Sequence, residues 1–582
     1  MTKKALKVKK ILPSAVLLII SVLLAALSHP NFISENGFGF LAWFSYLPLL
    51  LLLKKLTFKN CFIFSFLYSV LFCLTYGFWL INYGVFSFIV IIILYILSYT
   101  AFFYLLKASE KLFPKDDWFF KWLIICSFEF LRTKGFLGFN YGITAYSQWR
   151  YIPIIQICDL IGVFGLNAIV IFPSCCMYGF IKKKLELREY KISVEKNLKQ
   201  FEYESHFEFL QKDAKEIKKY SAKKVILSFA VFVLVFSFLF VYSRFAQKNY
   251  SNNEQVKVAA IQHCDSPSNS GLESYIQTFY DLYSLSDSVS QMNSDLQIIL
   301  WPENSIVPSV CFKYDYEKNL QQLYGKDRKI TEGEIQTENF IKNCADYFSK
   351  QKKYTFIIGN NHMEINYDNQ IEYFNSALVF DSETSAIPPV PKIYKKVHMV
   401  PFTEVFPYKK LFPGLYSKLY KKFDYLYESG TEYTVFKRGN LYFSTPICFE
   451  DTFCDVTRDM YKNGARAFFN LTNDSWALNK VSQYQHLAIS IFRAVENRVP
   501  LVRSATTGQS CIVDPNGQIT QMIEPFTKYY VVGKIPVISS ERKATFYADY
   551  GYMIFEWGIL FFTLFLLIIR IIIAIIKKIT KV

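Results

Sequence analysis

From Cys61 to Leu106 the chain carries no Asp, Glu, Lys or Arg. A helix on the surface of a soluble protein needs a polar face, so a run of this length is compatible only with burial on all sides or with lipid. About 20 residues of helix cross the hydrocarbon core of a bilayer. The run is long enough for two such helices, and Asn82-Tyr83-Gly84 is the natural turn between them. Val225 to Ser243 is a second uncharged run, bracketed by Lys224 and Arg244. Further apolar stretches are Ile11–Ser28, Gly37–Leu53, Trp118–Leu131, Ile152–Ile181 and Gly551–Ile576, giving an expectation of eight spans. The stretch 118–131 is the least apolar. Glu129 and the following Arg132 are expected to pair at i,i+3 on one helix face, lowering the cost of placing charge in lipid. Ile11–Ser28 is long for a signal-peptide core and no small-residue cleavage site follows it, so it is read as a span.

Charge supplies the orientation. The chain has 582 residues and a formal net charge of +17. Its lysines gather beside the apolar runs: Lys3 to Lys10, Lys54/Lys55/Lys59, Lys107/Lys111, Lys182 to Lys184, and Lys577/Lys578. Flanking cations of this kind set topology and meet anionic headgroups, which argues against nucleic acid as the partner. With eight spans these clusters fall on one face, read as cytoplasmic together with both termini. The expected organisation is spans one to six in 1–181, a charged cytoplasmic arm in 182–224, span seven in 225–243, a soluble extracytoplasmic domain in 250–548, span eight in 551–576, and a basic tail in 577–582. The arm reads as a solvated helix or helix pair.

Within the soluble segment the pattern changes to short β-rich runs at 256–262, 296–303, 354–360, 376–381, 441–450, 465–474 and 509–519. Helix-like stretches such as 272–289 and 486–497 lie between them, so a layered α/β domain is expected. Pro515-Asn516-Gly517 signals a hairpin. The twelve cysteines show no paired or metal-type spacing, so no metal and no cofactor are expected, and disulfide pairing cannot be read from their positions.

Three segments carry unusual chemistry. The apolar run Ile298–Leu300 leads into Trp301-Pro302-Glu303. Another ends Pro446-Ile447-Cys448-Phe449-Glu450-Asp451. Between them lies a basic loop, Lys392 to Glu404, containing Lys396. A thiol needs a base or a positive field to become a good nucleophile, a carboxylate can take its proton, and an ammonium can stabilise the resulting anions. Each residue also has a plain structural reading: a core thiol for Cys448, a strand-end ion pair for Glu303, a solvated charge for Lys396. Separated by 93 and 52 residues, the three cannot be joined into one site by composition.

The ordered set of WPE, Tyr394-x-Lys396-x-His398-x-Val400-Pro401-Phe402-x-Glu404 and Cys448-Phe449-Glu450 resembles the nitrilase superfamily. Together with the spans it resembles the apolipoprotein N-acyltransferase family. Ser28-His29-Pro30, Phe128 to Arg132, Asn140-Tyr141-Gly142, Leu471 to Trp476, Phe492 to Glu496 and Arg503 to Gly508 extend the likeness along nearly the whole chain. The resemblance implies a polytopic helical membrane domain and an extracytoplasmic nitrilase-like αββα sandwich. It implies Glu303 as general base, Lys396 as oxyanion stabiliser and Cys448 as nucleophile, supported by Glu404, Glu450 and Phe449. Phe449 stands where the family commonly has Tyr, Thr403 where it has Gly, and Gln262-His263-Cys264-Asp265 departs from the family's usual start.

The implied reaction is ping-pong acyl transfer in a bacterial inner membrane. A phospholipid donates its acyl chain to Cys448, and the α-amine of the diacylglyceryl-cysteine of an apolipoprotein accepts it. The expected enzyme is a monomer. The aromatic and Lys-rich segment 409–427 reads as an interfacial lid or as an ordinary surface helix. Two rival readings are a membrane-tethered amidase, whose acceptor is water, and a transporter or sensor with a non-catalytic outer domain. Against the second, Asp159 with Glu129 and Arg132 is a thin set of ionisable groups for a transport path.

Overall fold

The computed structural model describes residues 3–135, 137–198, 226–266, 270–406, 408, 411–420 and 426–580. The chain divides into two compact units. One comprises 1–134, 141–246 and 550–582, and the other 135–140 and 247–549.

The first unit is helical: α1 (Lys3–Ser28), α2 (Tyr46–Lys55), α3 (Phe58–Tyr76), α4 (Val85–Leu112), α5 (Asp117–Leu131), α6 (Cys158–Leu198), α7 (Ile226–Ala246) and a closing helix, Ile559–Ile579. Among the described residues five helical stretches are long and apolar enough to cross a membrane: Phe58–Tyr76, Phe88–Leu112, Cys158–Ser193, Ile226–Ala246 and Tyr547–Ile579, with Leu12–Ser28 a shorter apolar helix. The expected turn is present: a 3₁₀ segment, Phe78–Tyr83, ends at Gly84, whose φ of 123° is open to glycine, and α4 begins at the next residue.

Two expected spans are shorter than a bilayer core. In the run from Gly37 the chain first forms a 3₁₀ turn, Gly39–Phe44, pinned by Trp43 donating to Gln148 (3.2 Å) and Ser174 donating to the Trp43 carbonyl (2.9 Å). Only the 10 residues of α2 remain helical, about 15 Å at the helical rise. The 15 residues of α5 reach about 22 Å.

Glu129 and Arg132 do not form the expected pair. Glu129 accepts from Tyr46, from the Thr144 hydroxyl (2.6 Å) and from the Thr144 backbone N–H (2.9 Å). Arg132 donates to Tyr95 (3.3 Å) and to the Tyr141 carbonyl (2.9 Å). Polar side chains from neighbouring segments lie nearer than the i,i+3 partner. Asp159 is occupied by the Tyr242 hydroxyl at 2.6 Å. Of the charged arm, α6 runs as far as Leu198, and 199–225 lie outside the described residues.

The second unit is an α/β sandwich. Its first sheet contains β1 (Gln255–Gln262), β2 (Leu296–Leu300), β3 (Thr355–Ile365), β4 (Ile371–Phe380) and β5 (Lys392–Lys395). The second contains β6 (Phe468–Thr472), β7 (Leu501–Ala505), β8 (Cys511–Val513) and β9 (Ile519–Met522), and β10 (Tyr529–Pro536) returns to the first. The orders are β10-β1-β2-β3-β4-β5 and β6-β7-β8-β9. β1, β2 and β3 run parallel, as do β6 and β7. The sheets meet where Ser504 on β7 donates to the carbonyls of Ile261 (2.8 Å) and Leu300 (3.2 Å).

Outside the first sheet lie α8 (Leu272–Met292) and α9 (Glu332–Lys350). Phe279, Leu282, Val289, Phe340, Ile341 and Phe348 from these helices pack with Ile261, Ile299, Trp301, Phe356 and Ile358 in one core. α10 (Cys454–Lys462) and α11 (Lys480–Asn497) belong to the second sheet. The result is the expected αββα sandwich, built from strands that are apolar on both faces. The 515–517 hairpin forms between β8 and β9, closed by Asp514 N–H to the Gln518 carbonyl at 2.9 Å.

Elements that sequence patterning did not anticipate include α9, α10, β5, β7, β10 and most of β9. Of these, β5 is the start of the segment read as a basic loop, and it pairs antiparallel with β4. All twelve cysteines are thiols. In the 409–427 segment the described part holds a short helix, Pro413–Tyr420, preceded by exposed Leu411 and Phe412. Lys409, Lys410 and 421–425 lie outside the described residues.

Candidate active site

β2 ends because Pro302 cannot continue the ladder. The Trp301 indole is fully buried and donates to Ser286 at 2.8 Å, fixing the strand end from behind. Glu303 follows and is 5% exposed. Space for it comes from Gly359 on β3: a Cβ there would sit 2.3 Å from the Pro302 carbonyl oxygen and 2.6 Å from the Glu303 Cα.

Lys396 directly follows edge strand β5. Its N–H donates to the Asn375 carbonyl at 2.8 Å, so β4 sets its position. Cys448 follows Ser444–Ile447, an extended stretch that bridges in parallel to Phe468 and Leu471 of β6. Pro446 keeps this stretch from becoming a full strand. At Cys448 the backbone turns sharply into a 3₁₀ segment, Cys448–Thr452, with Cys448 itself at φ 50°, a costly conformation for a non-glycine residue.

The three strand ends meet. Lys396 Nζ lies 2.8 Å from Glu404 Oε1 and 3.5 Å from Glu303 Oε1, and the Lys396 side chain is fully buried. Asn375 Nδ2 bridges the two carboxylates, donating to each at 2.7 Å. Glu303 Oε2 accepts the Asn473 backbone N–H at 2.8 Å, and Glu404 Oε2 accepts that of Val400 at 2.7 Å.

The electrostatics follow from this packing. Burial alone would lower the Lys396 pKa, but Glu404 and then Glu303 outweigh it and hold the ammonium well above its ordinary range. Lys396 is therefore a fixed cation. Burial, and next Glu303, push the Cys448 thiol well above its ordinary value, with Lys396 acting in the opposite sense. A thiol so placed is protonated at neutral pH and needs a proton acceptor.

Glu450 ties the lysine loop to the thiol turn. It is fully buried. Its Oε1 accepts the Tyr394 hydroxyl (2.8 Å) and the N–H groups of Val397 and His398 (2.9 Å each), and its Oε2 accepts the Ile447 N–H (2.8 Å). Phe449 forms an aromatic wall with Phe453 and His398, at centroid distances of 4.8 and 6.1 Å. In the turn that includes Thr403 the left-handed residue is Phe402 (φ 67°), so the loop closes without glycine at 403. Gln262 is structural: it donates to the carbonyls of Glu524 (3.0 Å) and Thr527 (2.8 Å) and accepts from Ser510.

The structure thus brings Glu303, Lys396, Glu404 and Glu450 into one network around the Cys448 turn. It adds residues that the sequence did not single out. Asn375 is one. A second group lies behind the thiol: His486 Nε2 is 2.9 Å from Asp451 Oδ1 and His486 Nδ1 is 2.8 Å from Asp474 Oδ1, while Arg503 bonds Asp451 and lies 3.5 Å from Asp474. Asp451, Asp474 and Arg503 stand inside quoted motifs, but nothing in their spacing joins them to His486.

A model of the carbon–nitrogen hydrolase family matches residues 257–541, and a model of the apolipoprotein N-acyltransferase N-terminal domain matches residues 21–176. Among curated proteins the chain is similar to apolipoprotein N-acyltransferase 1 of Treponema denticola, 32% identical over 541 residues and 91% of each chain. It is 30% identical to the Treponema pallidum protein of the same name over 549 residues, 90% of each. An apolipoprotein N-acyltransferase of Borreliella burgdorferi is 24% identical over 539 residues, 91% of each. Likeness over this much of the chain, in both the helical and the hydrolase-like unit, shows that the chain belongs to the apolipoprotein N-acyltransferase family.

Proposed function

We propose that this acyltransferase moves an acyl chain from a phospholipid, through a thioester on Cys448, to the α-amine of the diacylglyceryl-cysteine of an apolipoprotein. The observation that carries the reading is the unequal sharing of Lys396 by two carboxylates, Glu404 at 2.8 Å and Glu303 at 3.5 Å, beside a half-buried thiol. Glu404 takes most of the ammonium's charge and leaves Glu303 able to accept a proton.

In the first half-reaction Glu303 takes the Cys448 proton and the thiolate attacks the ester carbonyl. Lys396 stabilises the oxyanion, and collapse expels the lysophospholipid alkoxide, which leaves with the proton from Glu303. In the second, the amine attacks the thioester, Glu303 takes one amine proton, and the amide forms as the thiol is restored. Two easier steps replace one difficult transfer. Both substrates are lipids, which accounts for a hydrolase-like unit carried by apolar helices. The placement of lysines beside the apolar runs supports cytoplasmic termini and a catalytic unit on the outer side of the inner membrane.

Purified protein incubated with phospholipid labelled in its acyl chain is expected to acquire hydroxylamine-sensitive label. A diacylated lipopeptide should then remove the label onto its own amine. Discharge to water alone would favour the tethered amidase, and protein that never acquires label would contradict acyl transfer through a thioester.

A further inference from the structure

Behind Cys448 lies a buried set of four ionisable groups that the proposed reaction does not use. Asp451 belongs to the thiol's own 3₁₀ turn. Asp474 follows β6, next to Asn473, whose N–H is held on Glu303. His486 projects from α11 and Arg503 from β7. All four are at most 7% exposed. On the same helix the Ser490 hydroxyl donates to the His486 carbonyl at 2.9 Å and accepts from Arg503 at 2.6 Å. Further along that helix Arg493 and Glu496 pair at 3.0 Å.

Both imidazole nitrogens of His486 meet carboxylate oxygens, at 2.9 and 2.8 Å. Carboxylates only accept, and a neutral imidazole has one N–H, so both contacts are made only by the imidazolium. With Arg503 the quartet then carries two cations and two anions. Burial acts to lower the His486 pKa, but Asp474 and Asp451 outweigh it and hold it up at about 9.

Given the reading of Cys448 as nucleophile, we propose that His486 is a positioning residue. As an imidazolium clamped between Asp451 and Asp474, it ties the thiol's turn to the loop that orients Glu303. It also cancels the negative charge that would otherwise face the thiol. The location supports the second role: Asp474 acts on the Cys448 thiol to raise its pKa, and Thr472, which acts on the thiol in the opposite sense, donates to Asp474 at 3.3 Å. Removing the His486 cation leaves two carboxylates against Arg503 alone, a net negative charge beside the thiol. Removing both His486 and Asp474 leaves Asp451 balanced by Arg503.

The test follows the rate of Cys448 alkylation by iodoacetamide at pH 7.5, where His486 is charged, in the full-length detergent-solubilised protein, read by peptide mass spectrometry. H486Q is expected to lower the rate by about threefold or more, and the double variant H486Q/D474N to return it to the wild-type value. A role limited to hydrogen bonding predicts the double variant to be the worse of the two. An unchanged rate in H486Q, or a double variant slowed as far as the single, overturns the proposal. Should H486Q fail to fold, D474N carries the test: its rate rises above wild type, and an unchanged one refutes the charge role. Acyl labelling of Cys448→Ala, run alongside, separates this result from a failure of the nucleophile reading, since label surviving in that variant would overturn the latter alone.

Discussion

Replacing Lys396 by Met keeps the length and apolar stem of the side chain while removing its charge. At an effective dielectric constant of about 20, a unit charge pair is worth about 6 kcal/mol at the 2.8 Å Glu404 distance and about 5 kcal/mol at the 3.5 Å Glu303 distance. Much of this offsets the cost of burying the ammonium. Removing one member of a buried ion pair therefore costs about 3–5 kcal/mol net, because the remaining charges lose their partner. Lys396 itself is held above its ordinary value, so its contribution is intact below about pH 10 and is lost only as pH rises through the raised value.

In K396M the two carboxylates face each other across Asn375 with no cation between them, and the apparent melting temperature should fall. Adding Glu404→Gln removes the second anion and should restore much of the stability. It should restore none of the acyl-labelling rate, which falls by about 10²–10³-fold or more without the cation. Thermal unfolding of K396M and K396M/E404Q in detergent at pH 8, with labelling rates on the same samples, checks all of this. A K396M melting curve identical to wild type, or a double variant no more stable than K396M, would refute the electrostatic account of the site.

Three further outcomes are expected. The His486 pKa is raised from 6.5 to about 9, so its stabilising contribution is complete below 6.5 and is lost as pH rises through about 9; the melting temperature of the wild type should fall across that window, and that of H486Q should fall less. Gly359→Ala would place a Cβ 2.3 Å from the Pro302 carbonyl oxygen, displacing Glu303, and should lower the labelling rate by about 10²-fold while Cys448 remains alkylatable. In the helical unit Lys121 is fully buried and bonds Glu110 (3.0 Å), Asp117 (3.0 Å) and Tyr178 (2.8 Å); Lys121→Met should cost about 3–5 kcal/mol, read as reduced yield of folded protein on size-exclusion chromatography.

The uncharged runs and the strand-ending motifs were legible because each is local. Glu303 and Cys448 end apolar runs, and those runs became β2 and the Ser444–Ile447 extension of the second sheet. What joins them is register: the pairing of β4 with β5 sets Lys396 beside Asn375, and no spacing in the chain encodes that. Asn375 itself sits within an apolar strand and reads there as an ordinary polar interruption. The Asp451–His486–Asp474–Arg503 quartet draws one residue from each of four segments, so it exists only after the sheet and α11 have packed. In the helical unit, apolar length overestimated helix length at Gly37–Leu53, because a 3₁₀ turn held by Gln148 and Ser174 takes up the start of the run. For Glu129 and Arg132, sequence proximity was outcompeted by Tyr46, Thr144 and Tyr95 from other segments.

The proposed reaction passes an acyl group through Cys448. The most direct measurement is the intact and peptide mass of purified protein after incubation with phospholipid and no acceptor. The prediction is one added fatty-acyl mass on the peptide containing Cys448, removed by neutral hydroxylamine and absent from Cys448→Ala. An unmodified Cys448 under conditions in which the same preparation acylates a diacylated lipopeptide would contradict it.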